Sequence, residues 1–440
     1  MAAQRPRLSR WDRLAIFLVL LSIFLGASPS SALTTQGYYD TRLGALTGPH
    51  SFGLTTWTVR AVGDKIGQSI GSKPWQALSD DERKQMLNDY FASADQANEL
   101  EGQISSLANQ GVTGTDAQMA DLEAKLRTLR QKRTEQSVVV ERVLADQVQN
   151  VLKEQNTTLF EVGNLFFPPV FFRLIDLPDV LIVSYRDQFA MRNQVTLQRT
   201  ITSDETGSLE GAVDSDLGVS SLVVPIGGYS TYPTMIAGTA PRDFVVGAIA
   251  HEWCHIYLMF RPLGNAYGRD GQVAAMNETV CSIFGDDVEA LVLEQYYGAE
   301  KLPRPWQTPP TPVPVAPTTP EQPKPTPTPA EPQAFNANHE LRKIYVAAED
   351  KLKAHDIAGA EAVMEQGRQY LADNGFYLRK LNQAFFAFYG SYAEGPDAIR
   401  SDPIGDDLRE LRRQSPSLHD FLVTVAQMTS YNDLKRALGK

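Results

Sequence analysis

The sequence predicts an α+β fold that is predominantly helical, with a small mixed sheet, an inserted coiled-coil hairpin and a C-terminal helical region. Three observations predict this fold. Apolar residues recur at helical spacing through the charged stretch 77–159, short β-branched runs follow between 180 and 226, and long apolar helices come next. The length of 440 residues allows two or three such units.

The pattern of residues 1–32 is typical of an export signal. Four arginines precede an apolar run from Leu14 to Leu25, and the small residues Ser30, Ser31 and Ala32 suit cleavage. The run is shorter than the roughly 20 residues that span a bilayer, which favours a signal peptide over an uncleaved membrane anchor. In both cases the remainder would be extracytoplasmic, secreted or anchored, beginning with an N-terminal segment at 33–76.

The net charge of the chain limits the kinds of partner that it can bind. A net charge of −11 leaves no dense basic surface, so we expect no nucleic-acid partner. Two cysteines are too few for a disulfide scaffold.

The stretch 77–159 predicts two antiparallel helices joined by a turn near Asn109–Thr115. Such a coiled-coil hairpin either packs on its own domain or extends as an arm that binds a partner protein. Packing is the simpler interpretation, and the partner arm stays as the alternative.

Three strands are expected after the hairpin, at Val180–Val183, Val195–Ile201 and Ser221–Ile226, with a polar turn at Asp204–Asp216. Pro225 cannot donate a backbone hydrogen bond, so the third strand should lie at a sheet edge. An extended peptide could pair with such an edge strand.

An H-E-x-x-H pattern follows at His251, Glu252 and His255, in an apolar helix expected to begin near Thr239 and to end near Phe260. Residues four apart share a helix face, so the two imidazoles can bind one Zn²⁺ while Glu252 holds a water beside it. The alternative is a pair of core histidines bonded to the backbone, with Glu252 in a buried salt bridge.

A second apolar helix, expected from about Gln272, carries Asn277 and Glu278, with 22 residues between His255 and Glu278. This H-E-x-x-H pattern followed by N-E resembles the gluzincins, the thermolysin-like and aminopeptidase-type zinc peptidases. The resemblance covers about 221–298 and implies a zincin-like catalytic domain at 160–301.

The resemblance implies one Zn²⁺ held by His251, His255 and Glu278, with Glu252 as the general base that activates a zinc-bound water for hydrolysis of a peptide or protein substrate. The family usually has an aspartate four residues after the glutamate ligand, where this chain has Ser282. Asn277 belongs to the motif, and Asp286 or Asp287 could replace the missing outer carboxylate.

Residues 302–334 predict an extended Pro-rich linker, and 335–440 a C-terminal helical region with helices at Glu340–Leu371, Leu378–Tyr392, Asp406–Arg413 and Leu418–Leu438. Gluzincins often place a downstream tyrosine over the zinc, a role open to Tyr389 or Tyr392, although core packing is the simpler interpretation of both.

Cys254 and Cys281 border the ligands and are expected to be buried free thiols, with a disulfide as the alternative. Two other functions also remain open: a catalytically silent, zinc-stabilised scaffold, and a zinc hydrolase of a non-peptide substrate such as a cell-wall amide. The sequence does not decide between endopeptidase and aminopeptidase.

Overall fold

The computed structural model describes residues 35–440 except 71–74, 76, 111–115, 163–164, 200–202, 270, 300, 302–303, 308–334 and 391–402. It is mostly helical with small mixed sheets, which confirms the coarse fold class. The predicted export segment, the hairpin turn, most of the Pro-rich linker and Tyr392 lie outside the described residues. Within the described ranges, no helix is both long enough and apolar enough to cross a bilayer.

Helices dominate both ends of the described part of the chain and flank the sheets. They are α1 (Thr35–Thr47), α2 (Leu54–Ile70), α3 (Asp80–Gln110), α4 (Asp116–Glu154), α5 (Ser203–Leu217), α6 (Arg242–Met259), α7 (Pro262–Asn265), α8 (Gly271–Tyr297), α9 (Ala337–Lys353), α10 (Ile357–Asp373), α11 (Gln383–Tyr389), α12 (Ile404–Gln414), α13 (Leu418–Ala426) and α14 (Tyr431–Ala437).

Within the described residues, the strands form three small sheets. They are β1 (Phe160–Val162), β2 (Leu165–Phe167), β3 (Phe172–Ile175), β4 (Asp179–Ser184), β5 (Met191–Leu197), β6 (Ser220–Val224), β7 (Gly228–Tyr229) and β8 (Thr234–Ala237). Strands β1 and β2 pair as a hairpin, β5-β4-β6 form an antiparallel sheet, and β3-β8-β7 form a mixed sheet in which β3 and β8 run parallel.

The hairpin helices α3 and α4 pack against each other, as the sequence predicted. The C-terminal half of α4 is buried in the main core at every fourth residue, at Val140, Leu144, Val148 and Leu152. This spacing places one helix face against α6 and α8. The base of the hairpin is therefore part of the core rather than a free arm.

Strand β4 explains why Val180–Val183 is a continuous apolar run. Val180 and Ile182 pack beneath α9, α10 and α11, whereas Leu181 and Val183 pack against α1 and α5. Successive strand residues point to opposite faces, so a strand covered by helices on both sides is apolar throughout.

The expected polar turn at Asp204–Asp216 is wrong, because α5 occupies this stretch. Its glycines and aspartates suggested a turn, yet Leu209 and Val213, four residues apart, are buried against the sheet. This burial outweighs the weak helix propensity. The single helix expected at Glu340–Leu371 is also wrong: α9 and α10 are separated at His355, which has a φ of +59°.

Strand β6 lies at a sheet edge, as Pro225 predicted, but this edge is not free for a peptide. The Val223 N–H donates to Glu210 Oε1 at 2.7 Å, and the Ser221 carbonyl accepts from Lys380 Nζ and Asn382 Nδ2 at 2.9 Å each. Side chains therefore already occupy the backbone groups that strand addition would use, and this part of the sequence interpretation was wrong.

Helices α6 and α8 cross closely at the centre of the main core. A Cβ added at Gly285 would lie 3.0 Å from the Gly247 carbonyl oxygen and 3.3 Å from His251 Cβ, so a larger residue would separate the helices there. Trp253 stacks on Phe284 with ring centroids 5.7 Å apart and donates to the Pro168 carbonyl at 2.8 Å. This packing fixes how α6 faces α8.

Candidate metal centre

Helix α6 begins at Arg242, with Pro241 rather than Thr239 at the N-cap position, and carries His251, Glu252 and His255 as the spacing predicted. Helix α8 supplies Glu278. The Oε2 atom of Glu278 lies 3.6 Å from His251 Nε2 and 3.4 Å from His255 Nε2, and the two Nε2 atoms are 3.0 Å apart. Within the described residues, this is the one cluster of three or more His, Cys, Asp or Glu side chains with a metal-binding arrangement.

These distances fit a tetrahedral ion. Zinc bonds to nitrogen and carboxylate oxygen are about 2.0–2.2 Å long, which places neighbouring ligand atoms of a tetrahedron about 3.3 Å apart. The three measured separations, 3.0, 3.4 and 3.6 Å, bracket this value. Little movement is therefore needed for His251, His255 and Glu278 to bind one ion, with a fourth position left for water or substrate.

The remaining atoms of the ligand side chains are oriented by neighbours. Asn277 Oδ1 lies 2.7 Å from His255 Nδ1 and can only accept, so Nδ1 carries the proton and the Nε2 lone pair is available to a metal. The Tyr267 hydroxyl donates to Glu278 Oε1 at 2.9 Å, which leaves Oε2 facing the imidazoles. The sequence indicated Asn277 but gave no sign of Tyr267.

The outer contact of His251 comes from Ser282, the residue that departs from the gluzincin pattern. Ser282 Oγ lies 3.4 Å from His251 Nδ1. Asp286 lines the cavity described below, whereas Asp287 binds Trp306 Nε1 at 2.7 Å and Arg412 Nε at 2.8 Å. The expected outer-carboxylate role of Asp287 is wrong, because this residue lies one position after Asp286 on α8 and its side chain therefore points toward α12 instead.

Glu252 lies beside the cluster with 8% of its surface exposed. The Ser230 hydroxyl donates to its Oε2 atom. Its Oε1 atom lies against the backbone of Gly228, where a Cβ would overlap the carboxyl group. Ser230 and Gly228 thus hold this carboxylate in place from the β7 side, and neither residue was identified from the sequence.

The electrostatics of the site favour positive charge. Burial by itself lowers the pKa of His255, but the carboxylates of Glu278 and Glu252 outweigh it and raise this pKa to about 10. Burial raises the pKa of Glu278, and the two histidines lower it well below its usual range. A site that stabilises a proton on an imidazole in this way also stabilises a metal cation in its place.

Both cysteines are buried free thiols, which agrees with the simpler expectation. Burial and a hydrogen bond to Cys254 raise the pKa of Cys281 well above its usual value. Cys281 Sγ also lies 3.5 Å from His255 Nδ1. A raised pKa keeps the thiol protonated and therefore unreactive as a nucleophile.

The cluster opens into a cavity of about 1230 Å³. Its walls come from α2, the strands β4 and β5, the segment 225–231 that contains β7, the helices α6 and α8 with the stretch between them, and the C-terminal helical region through Asn338, Phe388 and Tyr389. Tyr389 lies on this wall, and burial raises its pKa. Its ring packs on Phe385 and Phe388, with centroids 4.6 and 5.0 Å away, as the packing interpretation expected.

Comparisons with protein-family models, with curated proteins and with solved structures found no match for this chain. The gluzincin resemblance and the zincin-like core therefore stay predictions, based on His251, Glu252, His255, Asn277 and Glu278.

Proposed function

We propose that this protein is a zinc-dependent peptidase in which His251, His255 and Glu278 hold the metal and Glu252 is the general base. One observation carries the proposal: two Nε2 atoms and one carboxylate oxygen converge within 3.6 Å of one another beside a buried second carboxylate, at the wall of a large cavity. A bound zinc ion would polarise the substrate carbonyl and lower the pKa of a water.

Glu252 performs the proton transfers in this proposal. It accepts a proton from the attacking water and then donates it to the departing amine. Its hydrogen bond from Ser230 fixes one carboxylate oxygen, and the Gly228 backbone limits the movement of the other. Such positioning matters because a displacement of about 1 Å can reduce a rate about 100-fold.

The shape of the cavity supports a peptide as substrate. Its volume of about 1230 Å³ exceeds the roughly 300–1,000 Å³ of typical small-ligand sites. Strand β7 is one of the two edge strands of the β3-β8-β7 sheet, and its two residues line the cavity beside Glu252, so an extended substrate chain could pair with its backbone. In this proposal the substrate chain pairs with the edge of β7, whereas the sequence suggested the edge of β6.

The test measures metal and hydrolysis on the same preparations. We expect the wild type to contain one zinc per chain, and His255→Ala and Glu278→Ala to lose it. Glu252→Gln should keep the zinc and lose about 10³-fold or more of the hydrolysis of a quenched-fluorescent peptide mixture. Iron in place of zinc, or full activity in Glu252→Gln, would contradict the proposal.

Two rival functions give different results in the same test. A silent zinc-stabilised scaffold would contain zinc but cleave neither peptides nor cell-wall amides. A non-peptide hydrolase would cleave the amides in a Glu252-dependent manner and leave the peptides intact.

A further inference from the structure

The cavity wall carries a carboxylate that the proposed reaction does not use. Glu289 lies on α8, 11 residues after Glu278, and its side chain lies against α6 at Gly247. Its Oε2 atom is 2.5 Å from the position that a Cβ on Gly247 would occupy. Gly247 is one helical turn before His251, a rise of about 6 Å, so Glu289 lies close to the metal ligands but outside their contact range.

Glu289 has no cationic partner among the residues that the structure describes. No described residue forms a hydrogen bond or salt bridge with it, in contrast to neighbouring acids of α8 such as Asp287 and Glu294, which bind arginines. Burial, and secondarily the negative charge of Asp243, raise the pKa of Glu289 to about 7. A half-buried carboxylate in this environment gains free energy when a positive group approaches it.

The rest of the cavity lining also lacks positively charged side chains among the described residues, since no lysine or arginine occurs there. A bound Zn²⁺ would offset the charges of Glu252 and Glu278, which leaves Asp286 and Glu289 as the further carboxylates of the lining. A substrate with a positive group therefore matches this wall, and one with a negative group is repelled.

We propose that Glu289 is a specificity residue that binds a positively charged group of the substrate, a lysine or arginine side chain within two residues of the scissile bond. The inference rests on the proposed peptidase function. An extended peptide rises about 3.3 Å per residue, so two residues cover the roughly 6 Å between His251 and Gly247 along α6.

The first experiment measures binding, which does not depend on turnover. The full chain with Glu252→Gln is titrated with acetylated, amidated fluorescent octapeptides of alanine and leucine that carry lysine, citrulline or glutamate at one scanned position. At the best position we expect lysine to bind about 10-fold more tightly than citrulline, since a charge-assisted hydrogen bond to Glu289 is stronger than a neutral one.

Three further variants attribute this preference to Glu289. Glu289→Gln should abolish it, and Glu289→Lys should favour the glutamate peptide. Gly247→Ala should weaken it, because the added Cβ displaces the Glu289 carboxylate. Glu123→Gln, which removes the same charge from an exposed site on α4, should keep it.

The second experiment reads the residues that flank the bonds cleaved by the wild type in an acetylated peptide library. Lysine and arginine should be enriched within two residues of the cleaved bond, and Glu289→Gln should lose this enrichment. A free-amine peptide without lysine is a separate arm: if only this peptide binds or is cleaved in a Glu289-dependent manner, the cation is the α-amino group and the lysine or arginine assignment is wrong.

The outcomes separate the two proposals. Lysine-dependent binding without any cleavage supports the role of Glu289 and contradicts the peptidase. Cleavage with equal use of lysine, citrulline and glutamate supports the peptidase and overturns the role of Glu289. Absence of binding of every peptide, or an unchanged lysine preference in Glu289→Gln, also overturns it.

Discussion

Gly228→Ala offers a sharp test of how Glu252 is positioned. The glycine lies in β7, and the two nearest carbon atoms of Glu252, Cγ and Cδ, would each lie 3.0 Å from an added Cβ, with Oε1 closer still. Ordinary carbon contacts are about 3.5–4.0 Å, so the carboxylate must move by roughly 0.5–1 Å. The proposed zinc ligands lie on α6 and α8, and the three atoms nearest to this Cβ all belong to Glu252.

The expected loss follows from this displacement. A shift of about 1 Å in a reacting group costs about 100-fold in rate, equivalent to about 2.7 kcal/mol of transition-state stabilisation. We therefore expect kcat/KM to fall by one to two orders of magnitude, with zinc content unchanged. Thermal stability should change less than the rate, because the three atoms nearest to the added Cβ belong to the end of a side chain rather than to the backbone.

Gly227→Ala is the matched control. Its Cβ would lie 2.5 Å from the ring of Phe244, which is 47% exposed and can move toward solvent. The assay compares zinc per chain and kcat/KM on one quenched-fluorescent peptide for both variants and the wild type. If Gly228→Ala keeps wild-type kcat/KM, or if Gly227→Ala loses as much, Glu252 is not held against β7 in the way that the mechanism requires.

Three other predictions concern the surroundings of the ligands. Tyr267→Phe, which removes the hydrogen bond to Glu278, should weaken zinc affinity about 10-fold in a chelator competition, and an unchanged affinity would count against this contact. Asn277→Ala should weaken affinity about 10- to 100-fold, because His255 loses the acceptor for Nδ1–H. Glu289→Gln should be more stable than the wild type at pH 8 by about 1 kcal/mol, with no difference at pH 4.5, in chemical denaturation.

The sign of the last prediction follows from the raised pKa of Glu289. Its folded pKa of about 7 exceeds the ordinary value of 4.5, so its stabilising contribution is present below pH 4.5 and is lost as the pH rises through 7. The whole pKa shift would correspond to a free-energy difference larger than about 1 kcal/mol, but the side chain is only partly buried and solvent screening reduces its effect. A wild type that is the more stable protein at pH 8 would refute this.

The sequence was informative where short-range spacing determines the geometry. His251 and His255 share a helix face because they are four residues apart, and the apolar residues around Glu278 predicted a buried helix that could present it to them. Both expectations agree with the structure. The edge position of β6 was likewise predictable, because Pro225 limits pairing.

The sequence was uninformative where contacts come from distant parts of the chain. Tyr267, Ser230 and Gly228 contact Glu278 or Glu252 only because loops and a two-residue strand return to the same wall. The helix α5 was missed for a related reason, because it is stabilised by packing against the sheet that it covers rather than by the helix propensity of its residues. The spacing of residues along the sequence carries no information about such long-range contacts.

The packing of the C-terminal helical region has a practical consequence for proteolysis. Residues of α9, α10 and α11 bury Val180, Ile182 and Leu222, while α12, α13 and α14 bury the back of α8. A cut in the stretch 308–334 would therefore leave two polypeptides that stay associated through these interfaces and co-elute under native conditions. The stretch 160–301 expressed by itself would lack two cavity walls and expose both apolar interfaces, so it would aggregate rather than act as a minimal catalytic unit.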